Sequence, residues 1–346
     1  MARITAAFGS SHSPMLNADL EDWSRFIELD RARSFTAADG ADCSYDELLA
    51  RMPPGTGALV AAEEMARRHA RSRVAMDGLQ AHIAAAGLDL LLIVGDDQME
   101  MFRYDNMPAF GIYYGDTIRN KARVPPAADS APTEAWAKTL RGRYFEDRDK
   151  DYPCHAGLAL YLIEGLVDRG FDVSAIRHLR DGQGEGHAFA FIHRRYLADG
   201  KLPVVPVFLN TYFPPNQPTP RRCVEIGRAL GALLAHYPED LKVGLLASGG
   251  LSHFHVDDAL DETVMTALRA GDLDRLAALD PRMLRHGSSE IRNWIAVAAA
   301  IDGCGLRLHW MDYVPGYRSP AKTGTGLCFA AWGPGDTQTA GRTDHG

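Results

Sequence analysis

The sequence predicts an α/β fold: a single mixed sheet flanked by helices, with a small helical lid-like insertion near the N-terminus. Three observations carry this reading. Short aliphatic or β-branched runs alternate with longer amphipathic stretches, the pattern of a sheet covered by helices. Polar clusters follow several of those runs directly, as loops at strand ends do. Residues 16–54 hold Trp23, Phe26, Tyr45 and many acids without a strong period, and the segment is long for a connection.

In chain order, strands are expected at Ile4–Phe8, Leu88–Val94, Ala109–Tyr113, Val204–Leu209, Val243–Ala247, Leu306–Tyr313 and Leu327–Ala331. Helices are expected at about Gly57–Ala86, Ala156–Arg169, Thr219–His236, Asp257–Ala270 and Ser288–Asp302. Residues 16–54 read equally well as a lid over a site and as a surface insertion, whereas the polar stretch Arg119–Asp151 reads as a surface excursion. The end, residues 333–346, is rich in Gly, Thr and Asp and reads as a flexible tail, leaving residues 1–332 as one domain.

A chain of 346 residues, 46% hydrophobic and 24% charged, has material for a large core. The formal charge of −8, with Lys and Arg scattered, argues against nucleic acid or an anionic membrane as partner and favours a small molecule. No apolar run approaches the length of a membrane span, so a cytoplasmic protein is expected. Cys43, Cys154, Cys223, Cys304 and Cys328 are odd in number and lack CxxC spacing, which implies reduced thiols, mostly buried.

The polar clusters are Gly9-Ser-Ser-His12-Ser-Pro14, Gly95-Asp-Asp-Gln98 and Gly249-Gly-Leu-Ser-His253-Phe-His255. Loops at the carboxyl ends of strands converge on one crevice in open α/β sheets, so these three can share a site. Glu290, in Gly287-Ser-Ser-Glu-Ile-Arg-Asn-Trp294, falls in the first turn of an expected helix capped by Ser288 or Ser289, where free amides favour a carboxylate. That suits a metal ligand and a plain helix start alike. Gly182-Gln-Gly-Glu-Gly186-His187 lacks the ending of a phosphate loop and reads as a flexible loop that brings His187 to a ligand.

Together, His12 in Ser-His-Ser-Pro, His253 in Gly-Gly-Leu-Ser-His and Glu290 before Ile-Arg-Asn-Trp resemble the type III extradiol ring-cleavage dioxygenases, the protocatechuate 4,5-dioxygenase β-subunit superfamily to which gallate and methylgallate dioxygenases are related. The resemblance runs from His12 to about Trp332 and includes Asn210-Thr-Tyr-Phe-Pro-Pro-Asn-Gln-Pro218 and Tyr317-Arg-Ser-Pro-Ala-Lys-Thr-Gly-Thr-Gly326. It implies Fe(II) held by two histidines and one glutamate, with room for a catecholic substrate and O₂. By position it makes His12 and Glu290 metal ligands, His253 the acid/base that receives a substrate proton, and His187 a further active-site histidine. Where the family has Asn-Asp-His, this chain has Asp96-Asp97-Gln98, so the remaining ligand falls to Gln98, to a neighbouring acid such as Asp97, or to water.

The resemblance also implies a carboxylated, gallate- or protocatechuate-like ring, for which Arg221, Arg222, Arg292, Arg318 and Lys322 are candidate carboxylate partners. Arg292, His255 and Asp97 are the expected substrate-binding residues. A homodimer is left open. Two rival readings are a metal-poor binding or signalling relative, in which Gln98 records lost catalysis, and a metal-dependent hydrolase in the same crevice.

Overall fold

The computed structural model describes residues 1–335. Nine strands form one sheet: β1 (Arg3–Ser10), β2 (Leu90–Gly95), β3 (Phe110–Tyr113), β4 (Ser174–Ile176), β5 (Val204–Leu209), β6 (Lys242–Ser248), β7 (His253–His255), β8 (Leu306–Tyr317) and β9 (Thr323–Pro334). Their spatial order is β7-β9-β1-β6-β2-β5-β3-β4, with β8 also paired to β9. The centre, β1-β6-β2-β5, is parallel. Antiparallel pairing enters at β9 on one side and β3 on the other, which makes the sheet mixed.

The central strands show why this sheet forms. In β2 every residue is buried, and successive side chains serve opposite faces. Leu90, Leu92 and Val94 join the core under the helices Ala156–Asp168, Pro220–His236 and Ile291–Ala300, while Leu91 and Ile93 join the core under Ala62–Ala85 and His187–Tyr196. Local signals set the helix starts. Thr219 accepts a hydrogen bond from the Arg222 amide at 3.2 Å, and Pro220 occupies the first turn, where its missing N–H costs nothing.

All seven expected strands are present; β4 and β7 are additional, and at three residues each they are too short to show a period. The five expected helices are present within a few residues, the first preceded by a 3₁₀ turn at Thr56–Val60. Two more helices are Pro132–Gly142, inside the expected surface excursion, and His187–Tyr196, which starts at the last residue of the expected loop, 182–186 remaining non-helical. Strand β9 takes in Gly333 and Pro334, which the sequence assigns to a flexible tail; the rest of that expected tail, 336–346, lies outside the described residues. All five cysteines are free, Cys304 alone being exposed. No helix among the described residues is long and apolar enough to cross a membrane.

The N-terminal insertion is built of short helices, Pro14–Asn17, Leu20–Trp23, Phe26–Asp30 and Tyr45–Ala50. Trp23 is fully buried and donates to the Met15 carbonyl at 3.0 Å. Asp30 fastens the insertion to the sheet: its buried carboxylate accepts two hydrogen bonds from Arg318, at 2.8 and 2.6 Å, and a third from the Thr323 hydroxyl at 2.6 Å. Removing one partner of such a pair leaves the other charge buried without compensation. Asp30→Ala is therefore expected to lower unfolding stability by about 3–5 kcal/mol in urea denaturation. A loss smaller than about 1 kcal/mol, the range of a surface pair, would contradict this anchoring role.

Candidate active site

Three parallel strands end side by side, and their loops deliver the first components. After β1 comes His12, after β2 Asp96, and after β6 the Gly249-Gly250 turn. Glu290 arrives from the opposite wall, at the junction of a 3₁₀ turn (His286–Glu290) and the helix Ile291–Ala300. The His12, Asp96, Glu290 and His187 side chains are each at most 8% exposed. Each offers one donor atom, and these four atoms lie within 4.8 Å of one another.

Hydrogen bonding fixes which nitrogen His12 presents. The Ser248 hydroxyl spends its one proton on the Ala188 carbonyl at 2.7 Å, so it can only accept from His12 Nδ1 at 2.9 Å. The proton therefore sits on Nδ1, and Nε2 carries a lone pair. That lone pair faces Glu290 Oε2 at 3.4 Å and Asp96 Oδ1 at 3.9 Å. Burial lowers the His12 pKa, outweighing the nearby Glu290, which keeps the ring neutral. His12 Nε2 and Asp96 Oδ2 are both buried with no hydrogen-bond partner.

The two carboxylates differ. Glu290 accepts the Gly250 amide at 2.7 Å and stands beside His253 Nε2 at 3.1 Å; burial opposes its charge, but His253 holds it well below the usual carboxylate range. Asp96 is pushed well above that range by burial and by the charge of Glu290. Two buried acids facing a bare imidazole lone pair would be compensated by a cation, which would reverse the shift on Asp96. The set of nitrogen and carboxylate donors suits a divalent transition metal, so the residues fit such an ion.

His187 opens the helix His187–Tyr196 rather than standing in a loop. Its Nδ1 lies 2.8 Å from Glu100 Oε2, which leaves Nε2 as the nitrogen free to face the cavity. Burial works against its charge, yet Glu100 raises its pKa to about 10, so the ring is an imidazolium at neutral pH. His12 and His187 meet edge to face, with ring centroids 4.7 Å apart. In His253, Nδ1 donates to the Leu251 carbonyl at 2.9 Å. Gly287 packs directly on the His253 ring, in space that a side chain would fill.

His12, Glu100, His187, His253 and Glu290 line one cavity of about 130 Å³. An apolar cavity of about 150 Å³ holds one benzene ring, so the space here is that of a single aromatic ring. Its apolar wall includes Phe26 and Leu29 from the insertion, and Leu140 and Phe145 from within the expected surface excursion. Tyr144, in the same stretch, donates to the His12 carbonyl.

Among the residues picked from sequence, His12, His187, His253, Glu290 and Gln98 line this cavity, while Asp97, His255 and Arg292 do not. Gln98 is exposed at the wall, and Asp96 is the residue of its loop that faces His12. Asp97 turns back to accept the Met101 and Phe102 amides at 2.8 and 3.1 Å, so it organises the loop and is not free for substrate or metal. His255 is partly buried away from the cavity wall. Arg292 is buried and committed to the Pro218 and Leu284 carbonyls at 2.7 and 2.8 Å, which removes it as a carboxylate partner. At the surface Arg222 pairs with Glu225 and Lys322 with Asp258, and Arg221 lies outside the cavity. Arg318 reaches the wall but is neutralised by Asp30. The expected serine caps also differ: Ser288 bonds the His253 backbone and Ser289 the Thr211 hydroxyl.

Asp96, Glu100 and Tyr144 escape the sequence reading. Period-2 alternation through Asp96-Asp97 shows that the two acids face opposite ways, but not which one faces inward. For Tyr144, the spacing of Trp136, Leu140 and Tyr144 is a helical signal within a polar stretch.

Residues 125–315 match the family described as the catalytic LigB subunit of aromatic ring-opening dioxygenase. The match covers more than half of the chain, and the protein belongs to this family. A 2,3-dihydroxyphenylpropionate/2,3-dihydroxicinnamic acid 1,2-dioxygenase of Comamonas testosteroni is 32% identical over 114 residues, covering 31% of this chain and 34% of that protein. A gallate dioxygenase of Pseudomonas putida is 36% identical over 101 residues, covering 29% of this chain and 28% of that protein. A dioxygenase of Rhodococcus globerulus, with the same name as the Comamonas protein, is 24% identical over 287 residues, covering 67% of this chain and 82% of that one. The first two matches thus span about a third of the relatives' own length.

Proposed function

We propose that this protein is a metal-dependent extradiol dioxygenase, with iron(II) as the metal, that opens a catechol ring beside its two hydroxyls. The observation that carries the reading is the cluster of buried, unpartnered donor atoms of His12 and Asp96, beside Glu290, where His12 and Glu290 line a cavity the size of one aromatic ring. His12, Asp96 and Glu290 would hold the ion. When bound, the metal supplies a common centre that brings the diol oxygens and O₂ together and lowers the cost of ionising the diol.

The chain's own residues do the rest. Ser248 holds His12 in the tautomer that presents Nε2, as partners of metal-binding histidines do. The apolar wall holds the ring and keeps water from the donors. His253 Nδ1 donates to the Leu251 carbonyl, which leaves Nε2 as the nitrogen that would take a proton from the second hydroxyl. The His187 imidazolium donates from Nε2 toward oxygen that gains negative charge. The reading extends to a ring with an acidic substituent, in keeping with the acidic catechols for which the relatives are named.

His253→Phe is expected to retain the metal and to slow turnover on the order of a hundredfold or more, the effect of losing a positioned base. Loss of metal in that variant would make His253 a ligand instead. The reading as a whole is tested by oxygen consumption of anaerobically purified, iron-loaded protein with a panel of catechols. Uptake matched to loss of the aromatic absorbance is expected; hydrolysis of an ester or amide at the same site without oxygen uptake would overturn it.

A further inference from the structure

The cavity lining mixes charge of both signs. Beside His12, Glu100, His187, His253 and Glu290 it includes Arg33 and Arg318, which are partly or fully buried, and the exposed Arg141. Arg318 is matched by Asp30, which has no acceptor capacity to spare after two bonds to Arg318 and one to Thr323. Arg33 and Arg141 form no ion pair among the described residues, and each is unmatched by an acid of its own. Arg33 is partly buried, its guanidinium stacked on the Phe254 ring at 4.1 Å, and the same ring touches His253 with centroids 5.6 Å apart. The Arg33 guanidinium and the His253 ring thus sit one phenyl ring apart. A desolvated cation without a partner is costly, and a planar fork of donors on a cavity wall is matched by a carboxylate.

We propose that Arg33, with Arg141 at the mouth of the cavity, is the anion-recognising end of the substrate site and selects catechols bearing a carboxylate. This rests on the ring-cleaving reading of the same cavity. The diol lies at the donor cluster, the ring against Phe26, Leu29, Leu140 and Phe145, and the carboxylate between the two guanidinium groups. Because Arg33 belongs to the insertion, that segment sets specificity as well as covering the site. Burial, with the charge of Arg318 nearby, lowers the Arg33 pKa to about 10, which still leaves it charged at neutral pH.

The test compares kcat/KM of the iron-loaded enzyme for 3,4-dihydroxybenzoate, 3-(2,3-dihydroxyphenyl)propionate and neutral 4-methylcatechol, in wild type, Arg33→Leu, Arg33→Lys and Arg141→Gln. In wild type the better acid is expected to exceed 4-methylcatechol at least about tenfold, and the two acids separate a carboxylate on the ring from one on a tether. Arg33→Leu is expected to reduce the acid-to-neutral ratio on the order of ten- to a hundredfold, mainly through KM, the range of one charge-assisted hydrogen bond. Arg33→Lys recovers part of it, since charge returns without the fork, and Arg141→Gln gives a smaller loss. An unchanged ratio in Arg33→Leu, or equal wild-type kcat/KM for acids and 4-methylcatechol, would overturn the clamp while leaving ring cleavage intact. If Arg33→Leu does not fold, the wild-type ratio and Arg33→Lys decide alone. Anaerobic calorimetric titration of the same compounds is run in parallel: acid binding lost in the Arg33 variants, with no oxygen uptake by wild type, would reject ring cleavage and retain the clamp.

Discussion

His12→Ala is expected to remove the bound metal and with it all ring cleavage. The His12 ring supplies the one neutral nitrogen whose lone pair is fixed by a neighbour, through Ser248, and is aimed at the two buried acids. Without it the cluster consists of Asp96 and Glu290 beside a histidine that Glu100 keeps protonated. Loss of a mere supporting hydrogen bond to a ligand weakens metal affinity by about 10–100-fold, so loss of the ligand itself exceeds that range. Glu290→Gln is expected to behave alike, because Glu290 is the buried carboxylate that His253 holds well below the usual range. The measurement is anaerobic iron affinity together with oxygen uptake. Full iron and full activity in His12→Ala would place the metal elsewhere.

Asp96→Asn is expected to cost metal affinity more than a hundredfold, whereas Gln98→Ala and Asp97→Asn leave it within about tenfold. The family motif assigns the ligand position to Gln98, but the geometry favours Asp96: it is fully buried, 3.9 Å from His12 Nε2, with one carboxylate oxygen unpartnered. Gln98 is exposed at the cavity wall and Asp97 is spent on two backbone amides. The opposite ranking, with Gln98→Ala losing the metal and Asp96→Asn keeping it, would return the ligand role to the carboxamide. Asp96→Asn also carries a pH signature. Asp96 is pushed upward by burial and Glu290, so metal binding by wild type requires loss of that proton and weakens as the pH falls. In Asp96→Asn this part of the pH dependence disappears.

Much of this was legible in residues. The central strands were readable because β2, β5 and β6 are short, predominantly apolar runs, and the convergence of His12, Gly95-Asp96 and Gly249 follows from parallel strands ending together. The outer parts were less so. β7 has only three residues, and the polar segment around Leu140, Tyr144 and Phe145 hides its helix because its buried face is narrow. A carboxylate partner at Arg292 was plausible by composition, yet burial turned that side chain into a tie between loops. Arg33 gave no signal at all. Its position depends on a small insertion being pinned by Asp30 to Arg318, 288 residues away in sequence.

The most direct measurement of the central claim is the fate of isotopically labelled dioxygen. Iron-loaded protein is mixed under labelled O₂ with the catechol that it consumes fastest, and the product is weighed by mass spectrometry after rapid quenching. The account predicts a ring-opened product with both labelled atoms, formed by wild type and absent with His12→Ala. A ring-intact product, or one whose added oxygen comes from water alone, would contradict it.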